Sequence, residues 1–160
     1  MESRKQRMDR FSKFVIKKID KMLRVVLLVN HTPNYIFKYY DKKYHFTCDV
    51  AANRWNTKCK KYFTKKDNAL YQPWSGVCWM ASPWCEFRSW LIKAVLESSK
   101  GVTVVGIFPY FPELIGQYSI LGKYYETKIF HDCQFGILNK KYKYDVIGIV
   151  FKNGKNGQNS

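Results

Sequence analysis

The stretch Val77 to Pro109, VCWMASPWCEFRSWLIKAVLESSKGVTVVGIFP, decides the fold. It opens on a short apolar run, Val77 to Ala81, which reads as a buried strand. Ser82-Pro83 ends that run, because proline gives a ladder no donor and restricts the residue before it. Glu86 to Ser99 then sets Phe87, Trp90, Leu91, Ala94 and Val95 on one stripe at helical spacing, and Gly101 marks the stop. Val102 to Pro109 is a continuous apolar run rich in β-branched residues, the pattern of a strand buried on both faces of a parallel sheet. Strand, helix and strand in this order predict a βαβ unit.

Around this unit the 160-residue chain is strongly basic, with 28 Lys/Arg against 12 Asp/Glu and a formal net charge of +16. Such a field selects anionic partners, nucleic acid first and acidic membrane second; solubility charge is the plain alternative. Apolar residues make up 46% and aromatics 18%, too many for a basic disordered chain. Length alone favours one domain at about 150 residues each. The longest greasy run, Met22 to Val29, is broken by Arg24 and falls short of the roughly 20 residues that span a bilayer. Residues 1 to 21 lack the clean apolar centre of a secretory signal. Lysines interleave with aromatic rings in Tyr35 to Tyr44, Lys60 to Phe63 and Lys140 to Tyr144, as suits phosphates flanked by bases, or core rings beside solvated lysines.

Five cysteines, Cys48, Cys59, Cys78, Cys85 and Cys133, with no CxxC pair, point to reduced buried thiols rather than a disulfide frame. His31, His45 and His131 are scattered, so no metal site is expected. In His131-Asp132-Cys133 adjacent residues of a strand point to opposite faces, which argues against a catalytic thiol there.

Upstream of the βαβ unit, Thr32-Pro33 reads as a helix start, with Thr32 as N-cap, Pro33 as first helical residue and the helix running to about Lys43. His45 to Val50 reads as a strand ending in Asp49-Val50-Ala51-Ala52-Asn53. Arg54 to Gly76 has no period and predicts a long functional loop with at most one helical turn. Downstream, Pro112 to Leu121 reads as a short helix. Thr127 to Ile137 and Asp145 to Phe151 read as a closing antiparallel pair. Residues 1 to 24 hold nine Lys/Arg and three acids, with Phe11, Val15, Ile19, Met22 and Val26 at helical spacing. They predict a basic amphipathic helix that docks on the domain or lies along DNA, with Val25 to Val29 as an alternative short strand. The Gly/Asn/Lys-rich tail is expected to be disordered. The whole alternation predicts an open α/β sheet of Rossmann type with flanking helices, in which ligands bind beyond the carboxyl ends of the strands.

Two such strand ends stand out, at Asp49 and at Ala81-Ser82-Pro83-Trp84. Neither carries a glycine cradle for phosphates, so a dinucleotide or triphosphate is not indicated. Small Ala51 and Ala52 admit an adenosyl group, and Asp49 suits a ribose hydroxyl or an amino group. A helix cap or turn is the plain alternative for Asp49.

In order along the chain stand Thr32-Pro33, Asp49-Val50-Ala51-Ala52-Asn53, Cys59 with Tyr62-Phe63-Thr64, Asp67-Asn68-Ala69-Leu70, Trp74, Trp79-Met80-Ala81-Ser82-Pro83-Trp84, and Val104 to Pro109. This ordered set resembles the small phage-type DNA N6-adenine methyltransferases. The resemblance implies a class I methyltransferase sheet, S-adenosylmethionine as cofactor, and an adenine flipped out of DNA as target. It implies donor contacts from Asp49, Ala51, Asn53 and Asp67. Family members carry Asn-Pro-Pro-Tyr where this chain has Ala81-Ser82-Pro83-Trp84. The family's Asn side chain and the following carbonyl accept from the target amine, and the aromatic ring stacks on the base.

Here Pro83 is kept, Trp84 can still stack or else fill core, and the Ser82 carbonyl can still accept. Ala81 has no side-chain acceptor. Losing one preorganised transition-state hydrogen bond costs on the order of 3 kcal/mol, about 10² to 10³ in rate. Glu86 is a candidate substitute acceptor, with a solvated helix-surface role as the plain alternative. Asp132-Cys133-Gln134-Phe135 replaces the family's Gly-Arg, and the acidic pair is half kept as Asp67-Asn68.

Three readings follow: an adenine methyltransferase, a non-catalytic DNA-binding or assembly partner on the same fold, or an unrelated basic α/β protein. DNA contacts are expected from Lys60, Lys61, Lys65 and Lys66, or else these are solvated loop charge. No separate recognition domain fits, so specificity falls to loops, to the N-terminal helix or to a protein partner chain. Residues 1–30 read as the basic extension, 31–152 as the methyltransferase-like domain and 153–160 as a flexible tail. The expected location is cytoplasmic or nuclear, a phage- or virus-infected cell included, with no secretion and no membrane.

Overall fold

A computed structural model describes residues 32–110, 126–137 and 140–152, and Lys13. The expected N-terminal helix, the short helix at 112–121 and the tail lie outside the described residues.

Helix α1 is Asn34–Tyr44. It is followed by strands β1 (Cys48–Asp49), β2 (Lys61–Tyr62) and β3 (Val77–Met80), a 3-10 turn at Trp84–Glu86, helix α2 (Phe87–Ser99), and strands β4 (Thr103–Pro109), β5 (Glu126–Ile137) and β6 (Lys140–Phe151). The strands form a six-stranded sheet in the order β2-β1-β3-β4-β6-β5. β2, β1, β3 and β4 run parallel, and β6 runs antiparallel to both its neighbours. This is the α/β sheet that the alternation predicts.

The βαβ unit forms as read. β4 alternates between two covered faces. Val104 and Phe108 pack with α2, while Val105 and Ile107 pack with α1. Gly106 has no room for a side chain, since a Cβ there would lie 2.6 Å from both Met80 Cε and the Phe108 ring. α2 buries Trp90, Leu91 and Ala94. It ends where Gly101 takes φ +99°, with Val102 N–H on Glu97 O at 3.2 Å and Gly101 N–H on Ser98 O at 3.0 Å. These paired bonds satisfy the last carbonyls in the Schellman pattern.

On the opposite face α1 buries Ile36 and Tyr40 against Trp79, Val105, Val146 and Val150. α1 begins one residue later than read. Pro33 has an extended ψ of 135° and stands at the N-cap, its carbonyl accepting from Ile36 N–H at 3.1 Å. β1 is shorter than the strand read over His45 to Val50, because His45 turns into the left-handed region at φ 54° and caps α1. β2 falls inside the segment read as loop. It is two residues on one edge with a single partner strand, too short to leave a period. β6 starts at Lys140 rather than Asp145, and a bulge interrupts its pairing with β5 between Phe130 and Cys133.

Candidate functional site

β1 and β3 are neighbours, and Asp49 is the register partner of Trp79. Register partners in a parallel pair point to the same face, and alternation puts Ala81 on that face too. Trp79 and Ala81 pack in the cluster beneath α1. The carboxyl end of β1 and the Ala81–Trp84 turn therefore share one face at one edge of the sheet.

Asp49 is buried. Its Oδ1 accepts from Ala51 N–H at 3.3 Å and its Oδ2 from Lys58 N–H at 3.0 Å, so one carboxylate ties both ends of the segment 51–58. Burial pushes its pKa up to about 6, against the pull of those two N–H groups and of the Lys58 charge. Burial also lowers the Lys58 pKa, and the nearby Asp49 charge opposes this. The Lys58 ammonium bonds to Asn34 Oδ1 at the start of α1. Lys58 and Asn34 were not legible as site residues, since one acts through its main chain and both depend on a contact across 24 residues.

Ala51 is half-buried and Ala52 buried. Asn53 is built into a turn. Its Oδ1 accepts from Trp55 N–H at 2.8 Å and Asn56 N–H at 3.2 Å, and its own N–H donates to Asn56 Oδ1 at 2.7 Å. Asp67 is exposed, and its Oδ2 accepts from both the N–H and the hydroxyl of Thr64 at 2.6 Å. Those bonds hold the Asp67 carboxyl below its ordinary pKa. Lys60 just before β2, Lys61 on it, and Lys65 and Lys66 in the turn after it are exposed, along the outer strand of the sheet.

In the turn after β3, Ala81 is half-buried and Pro83 exposed. Ser82 is 4% exposed, and its hydroxyl has no hydrogen-bond partner among the described residues. Trp84 is half-buried and meets the Tyr144 ring edge-on at 5.9 Å. Glu86 is exposed at the N-cap of α2, its N–H on Pro83 O at 3.1 Å.

The Cys133 thiol donates to the main-chain oxygens of Phe130 at 3.3 Å and His131 at 3.8 Å, not to the His131 ring. His131 is exposed and meets Asp145 Oδ2 at 3.0 Å, whereas Cys133 is buried and burial raises its thiol pKa. Among the described residues no group of three or more His, Cys, Asp or Glu is placed to hold a metal ion. No described helix is long and apolar enough to cross a membrane.

Compared with known families, residues 12–110 match DNA N-6-adenine-methyltransferase (Dam). The chain belongs to the Dam family. None of the curated proteins compared with it matches. The family match spans both strand ends and the turn between β3 and α2, and it begins inside the basic N-terminal segment. This Dam-family chain is thus DNA-adenine-methyltransferase-like in sequence and in the α/β sheet that carries its candidate site.

Proposed function

We propose that this Dam-family chain binds S-adenosylmethionine and DNA at the carboxyl edge of its sheet and methylates adenine N6 slowly. One observation carries the reading: Asp49 at the end of β1 shares a face with Trp79 of the adjacent parallel strand β3 and with Ala81 just past it, at the edge where open α/β sheets bind ligands.

The residues suit a cationic nucleoside. The burial that raises the proton affinity of Asp49 also favours a cation brought to it. The Ser82 hydroxyl is a second buried polar group at the same edge that a ligand can satisfy. Asp49 would hold the polar end of the cofactor, and Ala51 would give a small wall beside its adenosyl group. Asn53 and Asp67 would act through the turns they brace. The bound cofactor supplies a methyl group on positively charged sulfur.

Trp84, held by its edge contact with Tyr144, would stack on the target base. The Ser82 carbonyl would accept one N–H of the target amine, while Ala81 offers nothing to the other, and this makes the chemistry slow. Pro83 would fix the turn. Lys60, Lys61, Lys65 and Lys66 would meet phosphates. Residues 31–152 would form the catalytic domain, with 1–30 and 153–160 as extension and tail. The activity calls for a compartment that holds DNA, cytoplasm or nucleus, an infected cell included.

Calorimetric titration of the full chain with S-adenosylmethionine tests the reading. Saturable binding that Asp49→Ala abolishes is expected, with slow incorporation of labelled methyl into unmethylated duplex DNA. No donor binding refutes it. Ala81 favours a second reading, a DNA-binding or assembly partner without chemistry. Donor binding with no incorporation at high protein concentration, beside a positive control, selects that one.

A further inference from the structure

Trp55 is 76% exposed, whereas the other described tryptophans are buried or half-buried. It stands beside Arg54, whose guanidinium lies 4.1 Å from the centroid of the Trp55 ring. The turn beneath them is rigid. Asn53 and Asn56 exchange side-chain to main-chain bonds, and Thr57 N–H reaches Asn53 O at 3.0 Å. The whole segment is pinned at both ends by the carboxylate of Asp49, through Ala51 N–H and Lys58 N–H. The indole is therefore presented on a fixed arm anchored in the candidate site.

A guanidinium over one side of an indole fixes the plane of the ring, and the exposure leaves the ring open to a partner. From Arg54 to Lys66 the chain carries Arg54, Lys58, Lys60, Lys61, Lys65 and Lys66 and no acid. A planar open ring in a stretch of unbroken positive charge suits a ligand with flat bases and a phosphate chain. A protein partner for Trp55 would meet a segment whose first acid after Arg54 is Asp67, already bonded to Thr64.

We infer that Arg54 and Trp55 form a stacking platform for an unpaired nucleobase of the bound DNA, with Arg54 holding the adjacent phosphate. This rests on the DNA-binding reading above and adds a contact outside the Ala81–Trp84 turn. A base displaced from its stack beside the target finds a second surface there. Stacking on an aromatic side chain tolerates any base, so the platform raises affinity for opened DNA without reading sequence.

The test uses the full chain and two fluorescein-labelled duplexes, one fully paired and one carrying a single unpaired adenine, with anisotropy as readout. Wild type is expected to prefer the duplex with the unpaired base. Trp55→Ala is expected to weaken binding to that duplex about 10-fold and to leave the paired duplex nearly unchanged. Trp55→Tyr keeps most of the preference, and Arg54→Gln lowers the salt dependence on both. Trp55 and Arg54 are exposed, and circular dichroism checks that each variant folds. If wild type binds DNA and Trp55→Ala binds both duplexes as wild type does, the platform is wrong, the DNA-binding reading stands, and Trp55 serves another partner. If wild type binds neither duplex at low salt, both inferences fall.

Discussion

Glu97 Oε2 accepts the main-chain N–H of Trp74 at 3.2 Å, tying the end of the segment between β2 and β3 to the last turn of α2. The same carboxylate meets Lys93 at 2.6 Å and Lys100 at 2.9 Å. The Trp74 indole donates to Ala69 O at 2.9 Å and stacks on Trp90 at 6.2 Å. The lysine-bearing turn thus hangs from a packed indole and a buried carboxylate.

Replacing Glu97 by Ala leaves the Trp74 N–H and the half-buried Lys93 without their acceptor. Urea unfolding is expected to show a loss of about 3 kcal/mol, the lower end for breaking a buried pair. Glu97→Gln, which keeps an acceptor, is expected to lose less. Burial raises the Glu97 pKa, but Lys93, Lys100 and the Trp74 N–H outweigh it and hold the carboxyl below its ordinary value. This contribution is present above about pH 4.5 and is lost as pH falls through the lower folded value.

Asp49 titrates in the opposite sense. The folded chain holds this proton up to about pH 6, whereas the unfolded carboxyl releases it near its ordinary value of 3.8. Protonation therefore favours folding, and stability drops as pH rises from about 4 to about 6, by up to roughly 3 kcal/mol. Urea midpoints at pH 4 and pH 7.5 check this. Wild type should lose ground to Asp49→Asn on going to the higher pH, and a constant gap between them contradicts it. Binding of a cationic methyl donor should run the other way and weaken below about pH 6.

Ala81→Asn restores a carboxamide at the turn after β3. Methyl incorporation into duplex DNA is expected to rise about 10² to 10³-fold, with donor affinity unchanged. Ala81 is half-buried, so the larger side chain has an outlet toward solvent. An equal rate in both chains argues that the acceptor is not what limits this protein.

How much of this was legible depends on where each signal lives. The βαβ unit was, because a run buried on both faces and a one-sided helical stripe are properties of neighbouring residues. β2 was not, since two residues paired on one side leave no pattern. Asn53 and Asp67 read as ligand contacts, and the turn bonds their oxygens also make were not part of that reading. Thr64-Lys-Lys-Asp67 has the spacing of a capping box, so that signal was present in the chain. The role of Lys58 was beyond reach, because a main-chain N–H has no residue type.

Tyr40 and Gly148 give a packing test. A Cβ on Gly148 would lie 2.2 Å from the Tyr40 hydroxyl oxygen and 2.8 Å from its ring carbon Cζ. Gly148→Ala is expected to destabilise by about 1–3 kcal/mol. The Tyr40 hydroxyl is buried without a hydrogen-bond partner among the described residues, so Tyr40→Phe is expected to stabilise by about 1 kcal/mol. Combined, the two should cost less than their sum, because the first atom in the way is gone. Thermal or urea unfolding of the four chains measures the coupling.

The bulge in β5 bears on the outer rim of the described sheet. β5 is the last strand of the described sheet, twelve residues long, and its outer rim would offer a second molecule a run of free donors and acceptors. At Asp132 the backbone enters the left-handed region at φ 50°, and the register slips between Phe130 and Cys133. That kink breaks the rim into two short pieces, and Lys128 and His131 add solvated side chains along it. Strand-to-strand addition has no straight template there, the way bulges blunt a sheet edge in general.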